Sequence, residues 1–515
     1  MKGDFSRDTY RPSSQYSRVL MQQGRVQLDA DWNEQTSILL GYMRALTRDL
    51  FGPAAGPADE CGFRIVSAES YASLPKAAKD EVDAALNKTN LTDDDLLILP
   101  GRYYVGGLPV AAPDPLRYRS QAGFPFGEAE SGSLRNRTWL AYLDVWEDFV
   151  SADQDRSIRE TALDGVDTCG RGRIRWQVRL LLDATKKDQL GTLPRTGSGR
   201  IRVRANPTED TDSLCTIAPD ARYRGPENQL YRVEIQVGGK AGVNAAGASF
   251  KWSRDNGSVT FPVISSTGNR VTLAHLGRDE ATTLVEGDWV ELADDARIAA
   301  AGVGLLAQVA DVDRDELNVE LALPDGSPPL PSYSEAQAAA THPLLRRWDH
   351  RGDLKKAGGA LPVVEGAAHE LELEDGVKIV FEDGGDYRAG DYWMIPARVL
   401  TGDVEWPGGP DHPEFQLPQG PAHYYAPLAI RLLGANGAPQ LTDLRCRIAR
   451  LPCQADARTP AAPAPAPAAG TKNTVAVNEA VDMKEAVAVN EAVEMKAVAA
   501  EVQDAAVPKE TTRNK

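Results

Sequence analysis

Cysteine and histidine are scarce in this chain of 515 residues, and its apolar segments are short. It contains five cysteines and six histidines. Cys446 and Cys453 are the two cysteines that lie close in sequence, and their spacing differs from the Cys-x-x-Cys pairs of zinc sites. We therefore expect no disulfide framework, no bound metal and no cofactor. No apolar run approaches the ~20 residues of a transmembrane helix, so membrane insertion is not expected either.

Basic residues are outnumbered by acidic ones. The 57 lysines and arginines stand against 74 aspartates and glutamates, a formal net charge of −17. Such a negative field repels phosphate backbones, so nucleic acid is not an expected partner. The opening residues MKGDFSRDTYRP include acidic side chains and no apolar stretch, unlike a secretory signal. We expect synthesis in the cytoplasm without a signal peptide.

Signatures of catalysis are also missing. The sequence has no HExxH motif, no Walker A loop and no GxSxG elbow. His350 beside Asp349 could form part of an acid–base pair, but no nucleophile is placed near them by spacing. Structural roles are the better interpretation for the four candidate histidines, His342, His350, His412 and His423. We predict no catalytic residues and no enzymatic activity.

The residues that are abundant indicate a turn-rich β protein. Glycine occurs 45 times and proline 34 times, and short period-two segments predict a mainly β, multidomain chain built of sandwich or barrel units. The predicted divisions are an N-terminal arm and helix (1–52), a β-rich domain with long surface loops (53–200), a small β-barrel or sandwich (201–330), a second β-rich domain (331–453), a Pro/Ala linker (454–470) and a low-complexity repeat tail, partly helical or disordered (471–515).

One amphipathic helix is predicted after a charged N-terminal arm. Asp31 as N-cap and Glu34 form an approximate capping box, and Gly52-Pro53 ends the helix. The arm is expected to lie over a surface or to reach toward a neighbour. An apolar stripe at helical spacing is formed by Leu39, Tyr42, Met43, Leu46 and Leu50.

Strands and turns are predicted from alternation and turn residues. The segments are two short strands within 96–105, a surface loop over 106–137, a long strand at 139–150, a type I′ hairpin over 248–263 around Asn256-Gly257, and strands at 270–274, 288–292, 304–311 and 316–323. The Asp311–Asp315 segment resembles the start of a calcium loop, but the residues after it do not fit one, so a hairpin turn is the better interpretation.

Two side-chain patterns admit a functional and a structural interpretation. Arginines at 171, 173, 175 and 179 alternate with apolar residues, which predicts one cationic strand face. A solvated face crossed by carboxylates such as Asp144 and Asp148 is favoured over a polyanion-binding stripe. Tryptophans in predicted strands could stack on sugars in a glycan-binding module, but core packing is favoured. These six are Trp139, Trp146, Trp176, Trp252, Trp289 and Trp393.

The C-terminal tail has a different composition from the rest. A Pro-Ala stretch at 459–470 is followed by VAVNEAVDMKEA at 475–486 and VAVNEAVEMKAV at 487–498, a period of 12 residues. No aromatic residue occurs from 454 on, so the tail cannot build its own core. A docking peptide that gains helix on a partner and a tail without a role are both left open.

Several long blocks of residues 1–450 resemble a known bacterial family. They are SRVLMQQGRVQLDADWNEQ at 17–35, the segment 143–182, RGPENQLYRVEIQV at 224–237, FKWSRDNGSVTFPV at 250–263 and HPLLRRWDH at 342–350. The family is one of uncharacterised function, found in gene clusters of phage-tail-like extracellular contractile injection systems. The resemblance does not extend to the linker and repeats, which are expected to lie outside the family. The resemblance implies association with such a particle, released or cell-associated, and implies no catalytic residues.

The function predicted from these observations is a non-enzymatic structural or adaptor component of the particle. Its partners would be protein subunits of the particle, contacted through the N-terminal arm and the tail, and a homo-oligomer is left open. The partner-binding residues we predict are Phe5, Tyr10, Tyr16, Met483 and Met495. Alternatives are a cargo effector with hydrolase activity, using acidic residues such as Glu160 or Asp164 in the loop at 152–167, and a glycan-binding module.

Overall fold

The structure is a computed structural model. It describes residues 1–87, 91–125, 132–205, 222–242, 247–299, 302–356, 358–434 and 437–449. One long helix and four short ones lie in this part of the chain: α1 (Asp29–Phe51), α2 (Ala68–Ala72), α3 (Lys76–Ala85), α4 (Asp295–Ala299) and α5 (Glu335–Thr341).

Strands dominate the described residues, which confirms the mainly β class. In chain order they are β1 (Ala54–Pro57), β2 (Ile65–Val66), β3 (Leu97–Ile98), β4 (Gly101–Val105), β5 (Leu108–Ala112), β6 (Leu116–Arg117), β7 (Trp139–Val150), β8 (Arg171–Leu182), β9 (Ile201–Arg204), β10 (Gln229–Val237), β11 (Ser249–Ser253), β12 (Thr260–Thr267), β13 (Arg270–Leu273), β14 (Trp289–Ala293), β15 (Leu305–Asp313), β16 (Asn318–Ala322), β17 (Leu344–Trp348), β18 (Leu361–Pro362), β19 (Leu371–Glu372), β20 (Lys378–Phe381), β21 (Tyr392–Arg398), β22 (Asp403–Val404), β23 (Tyr424–Leu433), β24 (Pro439–Asp443) and β25 (Arg447–Ile448).

Two four-stranded sheets share the first core. Their strand orders are β25-β1-β4-β5 and β24-β23-β7-β8. Trp139 and Leu143 of β7 pack in this core with Tyr103 of β4 and Val178 of β8. The strand predicted at 139–150 is confirmed with the bounds of β7. Its apolar residues follow the period of two that is typical of a strand.

A five-stranded sheet, β18-β11-β10-β21-β22, packs with the small sheet β19-β20-β9 around a second core. This core includes Tyr231, Phe250, Phe381 and Trp393. The short sheet β2-β3-β6 is covered by α2 and α3 through contacts among Val66, Leu74, Val82 and Leu97.

A closed barrel holds the third core. The strands β12-β13-β16-β15-β14-β17 close on one another, with the apolar side chains of Phe261, Val271, Val290, Val309 and Leu345 inside. The four strands predicted between 270 and 323 are β13 to β16, and all four belong to this barrel. The predicted unit 201–330 does not coincide with it, because β10 and β11 belong to the five-stranded sheet and β17 lies beyond residue 330. The carboxylate of Asp313 accepts hydrogen bonds from the backbone N–H groups of Asp315 and Glu316, which confirms the hairpin turn there.

The predicted hairpin over 248–263 is wrong. Asn256 and Gly257 do have the positive φ angles of 51° and 64° that were expected. The flanking strands do not pair with each other, because β11 pairs with β10 and β18 while β12 pairs with β13 and β17. The turn therefore carries the chain from the five-stranded sheet into the barrel.

Two further local predictions need correction. The segment 106–137 contains the strands β5 and β6 and is not a loop throughout. The helix α1 begins at Asp29 with Leu28 as its N-cap, three residues before the predicted N-cap at Asp31. Asp31 accepts a hydrogen bond from the N–H of Leu28 at 3.1 Å and acts from the third helical position, not as the N-cap.

Strand pairing crosses the predicted divisions. The strand β23 pairs with β7, β20 pairs with β9, and β25 pairs in parallel with β1. Residues 1–450 consequently form one compact unit. The predicted linker and repeat tail, including Met483 and Met495, lie outside the described residues.

Candidate docking surface

The solvent-facing side of α1 is apolar. Its inner face is fixed to the β-rich body by buried Ala30 and Ile38 and by an ion pair of 2.6 Å between Arg44 and Glu147. The outer face exposes more than half of each of five large side chains: Trp32 62%, Leu39 53%, Met43 64%, Leu46 60% and Leu50 65%. The predicted stripe therefore exists, and it points away from the body.

The N-terminal arm extends this apolar face by lying along α1. The backbone N–H of Val19 donates to the side-chain oxygen of Gln35 at 2.8 Å, and the hydroxyl of Tyr42 donates to the carbonyl of Tyr16 at 3.4 Å. These contacts make residues 16–19 run antiparallel to the helix. The exposed large apolar side chains of the arm are Tyr16, Leu20, Met21, Val26 and Leu28.

The arm and the outer face of α1 together form what we call the arm–helix surface, residues 16–50. It holds 12 of the 20 large apolar side chains that are exposed among the described residues. Scattered exposed apolar residues need no explanation, but a contiguous apolar patch of this kind is typical of a binding site.

The predicted partner-binding residues of the arm differ in exposure. Phe5 is half-buried and packs edge-on against Phe149, with ring centroids 5.4 Å apart. Tyr10 is half-buried against α1 at Gly41, where even a Cβ atom would collide with its hydroxyl. Tyr16 is 61% exposed and belongs to the arm–helix surface. Phe5 and Tyr10 thus contact the chain's own body.

Residues 1–3 anchor the arm inside the body. The Met1 amine donates to the hydroxyl of Tyr392 at 2.5 Å, and the Asn256 side-chain amide donates to the carbonyls of Met1 and Gly3 at 3.0 and 2.9 Å. Burial, with a smaller contribution from Arg232, lowers the pKa of the Met1 amine to about 4. The amine is therefore neutral at pH 7.

Lys2 enters a buried charge network, defined here as Lys2, Arg232, Glu234, Lys251 and Glu291. Glu234 Oε1 lies 2.8 Å from Lys2 Nζ, and Glu234 Oε2 accepts from Arg232 Nε at 2.7 Å. Lys251 Nζ lies 3.0 Å from Glu291 Oε1 and 3.4 Å from Glu234 Oε1. The network links the arm, the five-stranded sheet and barrel strand β14.

The buried charge network contains three cationic side chains and two carboxylates, and aromatic rings stabilise the additional positive charge. The Arg232 guanidinium lies 3.7 Å from the ring centre of Tyr392, and Lys251 Nζ lies 4.4 Å from that of Trp348. Burial alone would raise the pKa of Glu234, but Lys2, Arg232 and Lys251 outweigh it and lower this pKa to about 2. Four of the five side chains are buried and Lys2 is 27% exposed, so the network has the properties of a structural anchor.

A polar cleft of about 360 Å³ lies beside the anchored arm, lined by Asp4, Ser6, Asp29, Asp255 and Arg398 among others. Burial and the neighbouring Asp349 raise the pKa of Asp255 to about 6, although Arg347 lies 3.6 Å away. Asp255 therefore carries its charge at neutral pH against a desolvation penalty.

The substitution Asp255→Asn is expected to stabilise the protein by about 1–2 kcal/mol at pH 7.5. The folded-state pKa of Asp255, about 6, lies above its ordinary value of 3.8. Between pH 3.8 and about 6 the Asp255 carboxyl is therefore protonated in the folded state and ionised in the unfolded state. The contribution of Asp255 to the free energy of unfolding falls as the pH rises from 4 to 6. Urea unfolding at pH 4, 6 and 7.5 should show the variant's advantage only at the higher pH values. The raised pKa of Asp255 would be refuted as the cause if the variant were stabilised equally at all three pH values. The same pH dependence in the exposed control Asp188→Asn would refute it as well.

The acidic residues considered for a hydrolase have local structural roles. Glu160 is exposed and accepts a hydrogen bond from the N–H of Ala162, and Asp164 occupies a left-handed turn position with φ of 60°. Within the described ranges, no group of three or more His, Cys, Asp or Glu side chains could hold a metal ion. No described helix is long and apolar enough to cross a membrane.

The histidines also contact structural partners. His342 Nδ1 lies 2.8 Å from Asp295, and His350 Nε2 lies 3.3 Å from the carbonyl of Gly359. Burial lowers the pKa of His350 to about 3. His423 is buried, with Nδ1 2.6 Å from Asp144. This buried pair, which spacing could not indicate because 279 residues separate its members, fixes β23 against β7.

The arginine and tryptophan patterns both follow their structural interpretation. Arg175 lies 3.4 Å from Asp148, and Arg173 lies 3.3 Å from Asp155, so carboxylates cross the cationic face of β8. Asp144, also expected there, pairs with His423 instead. Five of the six strand tryptophans are buried: Trp139, Trp146, Trp252, Trp289 and Trp393. Trp176 is partly buried and packs against the first core.

A family of unknown function, DUF6519, matches residues 1–206 and 194–511. No curated protein and no solved structure matches the chain. The second match includes the Pro/Ala linker and the repeats, so the expectation that these segments lie outside the family is wrong. With matches over nearly its whole length, the chain belongs to the DUF6519 family of unknown function.

Proposed function

We propose that the chain is a non-enzymatic structural or adaptor component of a contractile, phage-tail-like injection particle. The observation that carries this proposal is the arm–helix surface, which leaves Trp32, Leu39, Met43 and Leu46 facing solvent on a body that is otherwise well packed. A stable body that displays an apolar helix suits a subunit whose work is binding other proteins. The resemblance to a family found in injection-system gene clusters supports the particle as the setting.

The way the arm is held also supports a docking role. Lys2 pairs with Glu234 at 2.8 Å, and the hydroxyls of Ser6 and Thr9 donate to Asp29 and Glu34 at 2.6 and 2.5 Å. These contacts keep the arm against the body and against α1. A surface held in place before binding loses less conformational entropy when a partner covers it. The arm and helix therefore act as one preformed surface.

Substituting the arm–helix surface is expected to remove the chain from particles. In the native host, the double variant Leu39→Gln, Leu46→Gln should lower the copy number per purified particle at least tenfold, because two exposed anchors of about 1.5–3 kcal/mol each are lost. Quantitative mass spectrometry of particles measures this. The matched control is Leu400→Gln, which changes a side chain that is 97% exposed at the β21–β22 turn. Equal copy numbers for both variants would refute docking through this surface.

Deleting residues 454–515 tests the role proposed for the tail. Residues 454–515 contain no aromatic residue and cannot build a core of their own, so we expect the truncated chain to keep its unfolding midpoint. We expect weaker incorporation into particles, by about three- to tenfold, if the repeats add a second attachment point. An unchanged copy number would exclude the tail from docking and leave the arm–helix surface as the attachment site.

A further inference from the structure

We infer that the outer face of α1 pairs with α1 of a second copy of this chain. The inference rests on the docking role proposed above, and it names what covers the surface. The assembly unit would then be a dimer that presents two bodies and two tails to the particle.

The spacing of the exposed residues is the first argument. Trp32, Thr36, Leu39, Met43, Leu46 and Leu50 follow one another at alternating steps of four and three residues, and all six are exposed. This is the a/d repeat of a coiled coil, the pattern by which one helix packs its side chains between those of another. A helix that merely covers its own body needs this repeat on its inner face, and α1 has it on the outer one.

The charge of the surface is the second argument. We call the six a and d residues of α1, from Trp32 to Leu50, the seam. The e and g positions beside the seam are Asn33, Gln35, Leu40, Tyr42, Thr47 and Asp49. Asp49, at the end of the helix, is the only charged side chain among these six. An uncharged seam has nothing to pair with an acidic or basic partner, and it does not repel its own copy. It is self-complementary, as a two-fold interface requires.

Three of the other charged residues of α1 have partners on their own chain. Asp31 accepts from the N–H of Leu28, Glu34 accepts from the hydroxyl of Thr9, and Arg44 pairs with Glu147. A helix that binds a membrane surface carries lysines and arginines along the rim of its apolar face. Here none of the six positions beside the seam is a lysine or arginine, and the exposed Arg48 falls at an f position, away from the seam. This favours a protein helix over a lipid surface.

The extent of the surface is the third argument. The 23 residues of α1 span about 35 Å. Seven large exposed apolar side chains, at roughly 100 Å² each, give about 700 Å² per copy from the helix alone. A stable interface needs about 800 Å² per partner, and the adjacent arm residues Tyr16, Leu20 and Met21 supply the remainder.

The test is the mass of the full chain in solution, measured by light scattering and sedimentation from about 1 to 100 µM. We expect a species of twice the 55.6 kDa chain mass. Leu39→Gln, Leu46→Gln should weaken self-association at least 100-fold, and Leu400→Gln should leave it unchanged. Both leucines of the double variant are exposed, so circular dichroism and the unfolding midpoint should stay as in the parent chain.

Two results would overturn the inference. One is a parent chain that stays monomeric up to 100 µM. That result would indicate that the tail or another subunit covers the seam instead. The other is a dimer that survives the double substitution. Failure of this inference is separable from failure of the proposed function: a monomer found in particles refutes only self-pairing, and a dimer absent from particles refutes only the particle role.

Discussion

Glu291→Gln is expected to lower the free energy of unfolding by about 3–5 kcal/mol. Glu291 is buried, and its two carboxylate oxygens receive Lys251 at 3.0 Å and the indole N–H of Trp348 at 2.9 Å. A glutamine amide would turn an NH₂ group toward one of these donors and remove the negative charge. Lys251 would then remain buried with Glu234 as its nearest anion.

Chemical unfolding of the parent chain and the variant measures this loss, with Glu316→Gln as the matched control. Glu316 pairs with Arg270 at 2.9 Å, but both side chains are at least 60% exposed, so the control should change stability by less than about 1 kcal/mol. Equal losses for both variants would show that the buried network does not stabilise the fold.

The same network makes the free energy of unfolding depend on pH in the acidic range. The pKa of Glu234 is lowered from 4.5 to about 2 because its cationic neighbours outweigh its burial. A carboxyl with a lowered pKa in the folded state contributes its full stability above pH 4.5 and loses it as the pH falls toward 2. Lys251 and the other cations near Glu291 also outweigh its burial and lower its pKa, and the Glu291→Gln variant lacks this carboxyl. The parent chain should therefore lose stability over that range more steeply than the variant.

Removing residues 1–10 is expected to lower the free energy of unfolding by about 3–5 kcal/mol and to loosen α1. The deletion takes Lys2 away from Glu234, leaves Arg232 without the Met1 carbonyl, and uncovers the cleft beside Asp255. It also removes Tyr10, which packs on α1 at Gly41. The helix would keep its inner contacts with the body but lose the arm that holds its start.

Limited trypsin digestion followed by mass spectrometry measures the second effect. Cleavage after Arg44 and Arg48 should become faster in the truncated chain, because local opening of α1 exposes both sites. Arg7→Ala is the control, since Arg7 pairs with Glu405 at the surface, with both side chains 38% exposed. Unchanged protection of α1 in the truncated chain would mean that the arm does not hold the helix.

Elements with a strong local signal could be predicted from the sequence. The strand β7 has the bounds that its alternation indicated, and the barrel strands β13 to β16 follow from short apolar runs between turn residues. The turn at Asn256-Gly257 was predicted with the right backbone angles but the wrong partners. Turn chemistry fixes the local path of the chain, whereas the choice of pairing strand depends on residues far away in sequence.

The candidate surface could be predicted only in part. The stripe of α1 is visible in the sequence, but periodicity cannot tell a face that packs on the body from one that meets solvent. Tyr16 was chosen as an aromatic in a polar arm and is exposed, while Phe5, chosen in the same way, packs on Phe149. The sequence does not indicate the ion pair of Lys2, because its partner Glu234 lies 232 positions away.

The proposal that this chain is a fixed component of a contractile injection particle can be tested by cryo-electron microscopy combined with quantitative mass spectrometry of particles isolated from the native host. We expect the chain at a constant stoichiometry in every preparation, with Leu39, Met43 and Leu46 of α1 covered by protein. Absence of the chain, or a low and variable copy number typical of cargo, would contradict it.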